Sequence, residues 1–458
     1  MLVRHALPSL VLLSAAFALP AQGPDGKKAE ADFERATKAV ADAKYTAAHA
    51  LYKQIAARYP NTAWGRMAAL RTQPTAYLGS GDLLRSGKSD NRVDVVIMGD
   101  GFGLDDQNEF EDIARSAVDV FKNHKLLGEY FGYHNFVRAN LVSKDQGVTG
   151  YGRTKDTALG GFIAGQVQGQ VGVDHGKATA MLDQLEAHDG YAIAIVKAGS
   201  MGTGGGGIAA IGGRADDTLV HEWGHAFGGL SDEYSTFTGH RGSPRNTINV
   251  STTDDEKLAP WKHFIEAGVP GVGTYRGADG RIKGAWKPTS GGCTMENGVQ
   301  FCPVCREAMV LAIYRRVDPI EAESPKPLRA KGAAQRSTEG FDFEVTLLQP
   351  KTHTLEVRWF VLPEAQAIQA TDEARVPDRT KRGPLANITA KGEPGGYLGQ
   401  GRNKFKIGSR DLQPGKYQVV CRVRDDSKPS GQQWPWVVKD DRHLLQSERV
   451  WWIEVPAR

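Results

Sequence analysis

A chain of 458 residues is long enough for two or three domains, each with its own core. With 40% hydrophobic and 24% charged residues it has the make-up of a globular protein, neither a low-complexity nor a membrane-embedded chain. A formal net charge of +4, one unit of it at Arg4, is too small to imply nucleic acid or an anionic membrane as partner.

Residues 1–21 read as a secretory signal peptide. Arg4 and His5 give a short basic start, Leu7 to Phe17 are mostly apolar, and Ala16-Phe17-Ala18 and Leu19-Pro20-Ala21 offer small-residue cleavage sites. The expected location is therefore secreted, periplasmic or at the cell surface. No later stretch has the length of a transmembrane segment. From 27 to 74, Ala29, Phe33, Ala36, Val40, Ala47, Leu51 and Ile55 recur at helical spacing. Tyr59-Pro60-Asn61-Thr62 breaks the pattern and Trp64 to Leu70 resume it. The segment is similar to one tetratricopeptide-type helical hairpin, too little for a solenoid, and reads as a cap or docking element.

Residues 88–317 read as an α/β domain. Val93 to Met98 form a buried strand running into the turn Gly99-Asp100-Gly101, which lacks the spacing and the lysine of a phosphate-binding loop. Asp100 thus reads as a turn-stabilising carboxylate, with a group that supports a metal ligand, or a calcium ligand itself, as the alternative. A helix over Asn108–His124, strands over Phe136–Val142 and Tyr191–Val196, and a helix over Lys177–Ala187 predict a mixed sheet with helices. The glycine-rich run from Ser200 to Gly213 is expected to be an edge strand whose open backbone pairs with an extended peptide. Asp216 or Asp217 is placed to cap the next helix.

That helix begins the stretch from Thr218 to Tyr234. His221 and His225, four residues apart, share one helix face, and Glu222 lies beside them as a base for water: the H-E-x-x-H signature of zinc (Zn2+) peptidases. Apolar Leu219 and Val220 precede it, and Gly228-Gly229 let the chain turn back. The third ligand expected ten residues after His221 falls on Ser231, a poor zinc ligand. Asp232 is preferred because it is local, Glu233 is the second choice, and Asp255 or Glu256 on a later helix are the further alternative.

Further on, Thr274 to Pro288 carry Tyr275, Arg276, Trp286 and Lys287, suited to a cleft wall, and Cys293-Thr-Met295 offers a methionine floor. A helix over Phe301–Arg316 closes the domain. The cysteines are Cys293, Cys302, Cys305 and Cys421. Cys302-Pro-Val-Cys305 has no second C-x-x-C to complete a four-thiolate site, and export favours a disulfide from Cys293 to Cys302 or Cys305. Residues 318–340 read as a proline-containing linker. Over 341–458 the period becomes two, in Phe341–Leu347, Thr354–Val361, Tyr417–Val423 and Arg449–Val455, which predicts a β-sandwich accessory domain of immunoglobulin or fibronectin type. Such a module could contact protein or glycan.

Asp94-Val-Val-Ile-Met-Gly-Asp-Gly-Phe102, His221-Glu-Trp-Gly-His225, Leu230-Ser-Asp-Glu-Tyr234, Cys293-Thr-Met295 and Phe301-Cys-Pro-Val-Cys305 resemble the IgA-peptidase-type family of zinc metallopeptidases, within the metzincin-like zincins, over about Val93 to Arg316. The resemblance implies a secreted zinc endopeptidase acting on protein or peptide. It implies His221, His225 and Asp232 as zinc ligands, Glu222 as general base, and the two cysteine segments as floor and wall of the site. Ser231 departs from the broader metzincin pattern; the family itself places an Asp one residue later. Tyr234 is a candidate oxyanion donor, as are Tyr275 and His240. The expected architecture is an α/β zincin-like catalytic domain with a short N-terminal helical segment and a C-terminal immunoglobulin-like β-sandwich. The rival functions are a non-catalytic binding or adhesion module, against which Glu222 stands, and a zinc amidase or deacylase, against which the glycine-rich run stands.

Overall fold

The computed structural model describes residues 23–164, 169–214, 216–235, 243–328, 333–367, 379, 397–400 and 403–457. The expected signal peptide and His240 lie outside the described residues. In chain order the elements begin with α1 (Pro24–Ala41), α2 (Tyr45–Arg58), α3 (Ala63–Arg71), β1 (Ala76–Leu84), β2 (Val93–Asp100), α4 (Gln107–Asn123), α5 (Lys125–Glu129) and β3 (His134–Val142). Then come β4 (Phe162–Ile163), β5 (Val171–Gly172), α6 (His175–Leu182), β6 (Tyr191–Val196), β7 (Thr203–Gly205), β8 (Ile208–Gly212) and α7 (Asp217–Ala226). The remainder comprises α8 (Lys262–Glu266), β9 (Tyr275–Ala278), β10 (Arg281–Lys287), α9 (Pro303–Arg316), β11 (Ile320–Ser324), β12 (Gln335–Arg336), β13 (Gly340–Leu347), β14 (Glu356–Pro363), β15 (Tyr397–Gln400), β16 (Lys404–Gly408), β17 (Gly415–Arg424) and β18 (Gln446–Val455). This is a mixed α/β architecture, and it divides into two compact units.

Among the described residues, the first unit covers 23–85, Asp94–Val120 and Phe136–Ala226. Its sheet has the order β1-β3-β2-β6-β8-β7, parallel at β2-β6-β8 and antiparallel at β1-β3 and β8-β7. All eight residues of β2 are buried, which is why its sequence is a nearly unbroken apolar run rather than an alternating one. Asp100 ends β2 without exposure and accepts the Leu159 N–H at 2.6 Å, the Gly161 N–H at 2.7 Å and the Thr157 hydroxyl at 2.9 Å. It therefore organises the 157–161 turn. The three N-terminal helices bury Phe33, Val40, Tyr45, Tyr52 and Ile55 in a core of their own with Leu78 of β1. On α2 the buried face runs through Ala48 and Tyr52, one residue on from the apolar series Ala47 and Leu51 that the sequence offers.

The second unit covers Ser86–Val93, Phe121–Asn135 and Phe227–Arg458. Its two larger sheets have the orders β11-β13-β16 and β12-β18-β17-β14-β15. Their apolar faces share one core in which Trp359 stacks between Phe405 and Trp451, with centroids at 5.3 and 5.7 Å. Cys421 is buried in that core beside Trp359, with its thiol pKa pushed up by burial, and acts as a small apolar filler. The proline-containing stretch after Asp318 includes β11, paired antiparallel with β13.

Candidate metal centre

Helix α7 buries Leu219, Val220, Trp223 and Ala226, and Trp223 meets Tyr191 of β6 edge to face at 6.1 Å. Asp216 caps the helix by accepting the Thr218 N–H at 2.9 Å. With the apolar face fixed inward, His221 and His225 fall together on a half-buried face. Their Nε2 atoms lie 3.2 Å apart and their rings meet at 81°. Two imidazole nitrogens on one tetrahedral zinc stand roughly 3.3 Å apart, so the pair has the spacing of two ligands sharing an ion. A carboxylate oxygen of Asp232 joins them, the three ligand atoms all lying within 4.8 Å of one another. Two imidazoles and a carboxylate form a donor set that suits zinc.

The return of the chain from α7 to Asp232 is built locally. Gly229 takes the left-handed conformation at φ +64°, which ends the helix and reverses its direction. The Ser231 N–H donates to Asn249 Oδ1 at 2.8 Å, and Asn249 Nδ2 donates to the Ser231 carbonyl at 2.8 Å and to Glu233 Oε1 at 3.0 Å. The Glu233 N–H donates to the Met295 carbonyl at 2.7 Å, while the carbonyls of Asp232 and Tyr234 accept from the N–H groups of Asp279 and Gly280 at 2.9 and 3.0 Å. Ser231 and Glu233 are thus committed to Asn249, and Asp232 between them goes to the histidines. Asp232 groups with the two histidines, and Glu233 groups with the cysteines. Asp255 and Glu256 join no group of three or more metal-capable side chains among the described residues. Tyr275 stands half-buried on β9.

Glu222 is 6% exposed, next to the two histidines on α7. The glycine-rich run holds the edge strand β7 and then β8, which lies inside the sheet between β6 and β7. Its glycines also have a second cause: a Cβ on Gly202 would lie 2.6 Å from Glu222 Cγ, and one on Gly204 would lie 2.9 Å from His225 Cβ and closer still to the Glu222 carbonyl oxygen. The strand backbone lies flat on the helix that carries both groups.

The expected disulfide is overturned. Cys293, Cys302, Cys305 and Cys421 are all free thiols, and all are buried. The first three gather instead with Glu233, one ligand atom from each lying within 4.8 Å of the others. Cys305 Sγ lies 2.9 Å and Cys302 Sγ 3.6 Å from Glu233 Oε1. Hydrogen bonding to Cys302 and Cys305 holds the Cys293 thiol well below the usual thiol range, and burial, with Cys293 beside it, pushes the Glu233 carboxyl up to about 8. Met295 is fully buried and its segment is pinned to Glu233 through the backbone. Asn249 was not found by sequence reasoning, which named Glu233 only as a second choice beside the histidines; the one signal toward this cluster was three cysteines within thirteen positions.

A third grouping, His353 with Asp425 and Asp426, is already satisfied. His353 Nδ1 meets Glu129 at 2.8 Å and Nε2 meets Asp425 at 2.7 Å, so neither ring nitrogen is left for an ion.

Among known proteins, the IgA Peptidase M64 family matches residues 82–271. That span includes β2, β7, α7, Asp232 and Asn249. No curated protein matches the chain.

Proposed function

Over residues 82–271 the chain belongs to the IgA Peptidase M64 family, and from that premise we propose that it is a zinc-dependent endopeptidase using Glu222 as general base. Family membership and the His221–His225–Asp232 cluster together make it a metallopeptidase in general terms. The observation that carries the finer reading is the 3.2 Å approach of the two Nε2 atoms with the Asp232 carboxylate beside them.

His221, His225 and Asp232 would hold the ion through two neutral imidazoles and one carboxylate. Bound there, zinc supplies Lewis acidity to the scissile carbonyl and a lowered pKa to the attacking water. Glu222, one residue from His221 and held under β7, takes the proton of that water as it attacks and delivers it to the departing amine. Its burial keeps bulk water from competing for the carboxylate. Tyr234, two residues beyond Asp232, is the donor we assign to the developing oxyanion. The mixed sheet with α7 fits a zincin-type core, and the two sheets sharing the Trp359 core fit an immunoglobulin-like accessory module. The basic and apolar start of the chain supports export.

The test compares the full chain with Glu222→Gln for bound zinc and for cleavage of a peptide library. Equal zinc in both, with kcat/KM lower in the variant by about 10²- to 10⁴-fold, is expected. Equal cleavage by the two proteins removes Glu222 from the chemistry and the reading with it.

A further inference from the structure

We propose that Glu233, Cys293, Cys302 and Cys305 form a second, structural zinc site, distinct from the His221–His225–Asp232 centre. Cys293, Cys302, Cys305 and Glu233 are 1%, 7%, 0% and 0% exposed. Three thiols at one point cannot all be satisfied by a disulfide, and none is in one. Tetrahedral zinc with Zn–S bonds of about 2.3 Å holds its sulfurs roughly 3.7 Å apart, so ligand atoms within 4.8 Å of one another close on an ion with small side-chain shifts.

Glu233 supplies the independent sign of a missing partner. Its Oε1 accepts from Asn249, but its Oε2 is buried with no hydrogen-bond partner. An orphaned carboxyl oxygen this deeply buried is costly, and a cation at the centre of the cluster would satisfy it. The sulfur side is prepared for negative charge as well. Cys293 Sγ accepts the N–H groups of Cys302 at 3.3 Å and Met295 at 3.5 Å. Cys302 is the N-cap of α9, a helix of 14 residues, and Cys305 lies in its first turn, where the helix dipole favours thiolate. Arg306, one residue on, places a largely buried positive charge whose field acts on Cys302 and Cys293.

Three thiolates and one carboxylate are a soft donor set that selects zinc over magnesium or calcium. Loading releases to solvent the protons that the thiols and the Glu233 carboxyl still carry and leaves four protein ligands with no open corner, the mark of a structural rather than a catalytic ion. Such an ion would join three separate stretches: the Ser231–Tyr234 segment, the Cys293-Thr-Met turn and the start of α9. Because Glu233 follows Asp232 directly, it would also fix the segment that presents Asp232.

The test is spectroscopic and does not depend on catalysis. The zinc of the purified full chain is replaced by Co2+ in wild type, in a His221→Ala/His225→Ala variant and in a Cys302→Ser/Cys305→Ser variant. An intense near-ultraviolet sulfur-to-cobalt charge-transfer band is expected in the first two and not in the third. Should the cysteine variant fail to fold, a thiol-specific mercurial is titrated into wild-type zinc protein with a chromogenic zinc indicator. About two zinc equivalents per chain are then expected, one released in step with thiol modification. Cobalt protein without the band, thiols that react with no release of zinc, or an intact mass lower by the two hydrogens of a disulfide would each overturn the proposal. None of these outcomes bears on whether Glu222 and the histidines cleave peptides.

Discussion

Asp232 and Glu233 are neighbouring carboxylates with opposite settings. Asp232 is half-buried beside two imidazoles, while Glu233 is fully buried among thiols and Asn249. The sequence shows both acids and the turn at Gly228-Gly229, and so leads to the right stretch. It does not show Asn249, which is 18 positions from Ser231 and belongs to no motif, yet its one amide group sets the alternation that sends Asp232 to the histidines. Asn249→Ala leaves the Ser231 backbone and Glu233 Oε1 without their partner in a buried setting. We expect a loss of about 1–3 kcal/mol in unfolding free energy and a roughly 10- to 100-fold weaker metal affinity at the histidine centre, as for other residues that orient ligands. Chelator competition on folded protein measures the second quantity. Unchanged affinity would mean that the backbone bonds to Met295, Asp279 and Gly280 hold Asp232 without Asn249.

At the scale of elements, regular patterns were legible and close approaches were not. The β2 and β6 strands, α4, α7 and the long strands β13, β14, β17 and β18 follow from apolar periodicity. Strands β11 and β16 escaped because five residues, with Glu321 and Glu323 in one and Lys404 and Lys406 in the other, carry too little pattern to stand out from connecting chain. The glycine run shows the limit most clearly. Composition locates an edge strand, but only the packed structure shows Gly202 and Gly204 admitting α7. Gly204→Ala separates the two roles. A residue serving only an extended substrate would give a higher KM with an unchanged melting temperature. The approach to His225 and the Glu222 carbonyl instead predicts a destabilisation of about 1–3 kcal/mol and a fall in kcat, with zinc still bound. Thermal melts and steady-state kinetics on the same preparation decide it.

At the scale of the whole molecule, one set of groups that bears on acid–base stability meets only on folding and has no signature in the chain. Glu129, His353 and Asp425 are 4%, 7% and 0% exposed at their side chains, and more than two hundred positions separate the first from the others. Around them, Tyr130 and Tyr314 donate to Asp425 Oδ2 at 2.9 and 2.6 Å, the Ser427 N–H donates to Oδ1 at 2.6 Å, and Thr352 donates twice to Glu129. Burial works against a charged His353, but its bonds and charge interactions with Asp425 and Glu129 prevail and raise its pKa. Burial likewise works against a charged Asp425, yet His353, the Tyr314 hydroxyl and the Ser427 N–H bring its pKa down. The signs then fix a window. The histidine term is complete below its unfolded pKa of about 6.5 and is lost as pH rises through the higher folded value. The aspartate term is complete above its unfolded pKa of about 3.9 and is lost as pH falls through the lower folded value. Both terms are full between those limits. His353→Leu, which leaves two buried carboxylates facing one another, is expected to cost about 3 kcal/mol at pH 6 and clearly less at a pH above the raised folded value, where the wild-type imidazole has lost its proton. Denaturant unfolding of the two proteins at the two pH values checks this. A cost that is equal at both would show that His353 contributes packing and neutral hydrogen bonds rather than a buried charge.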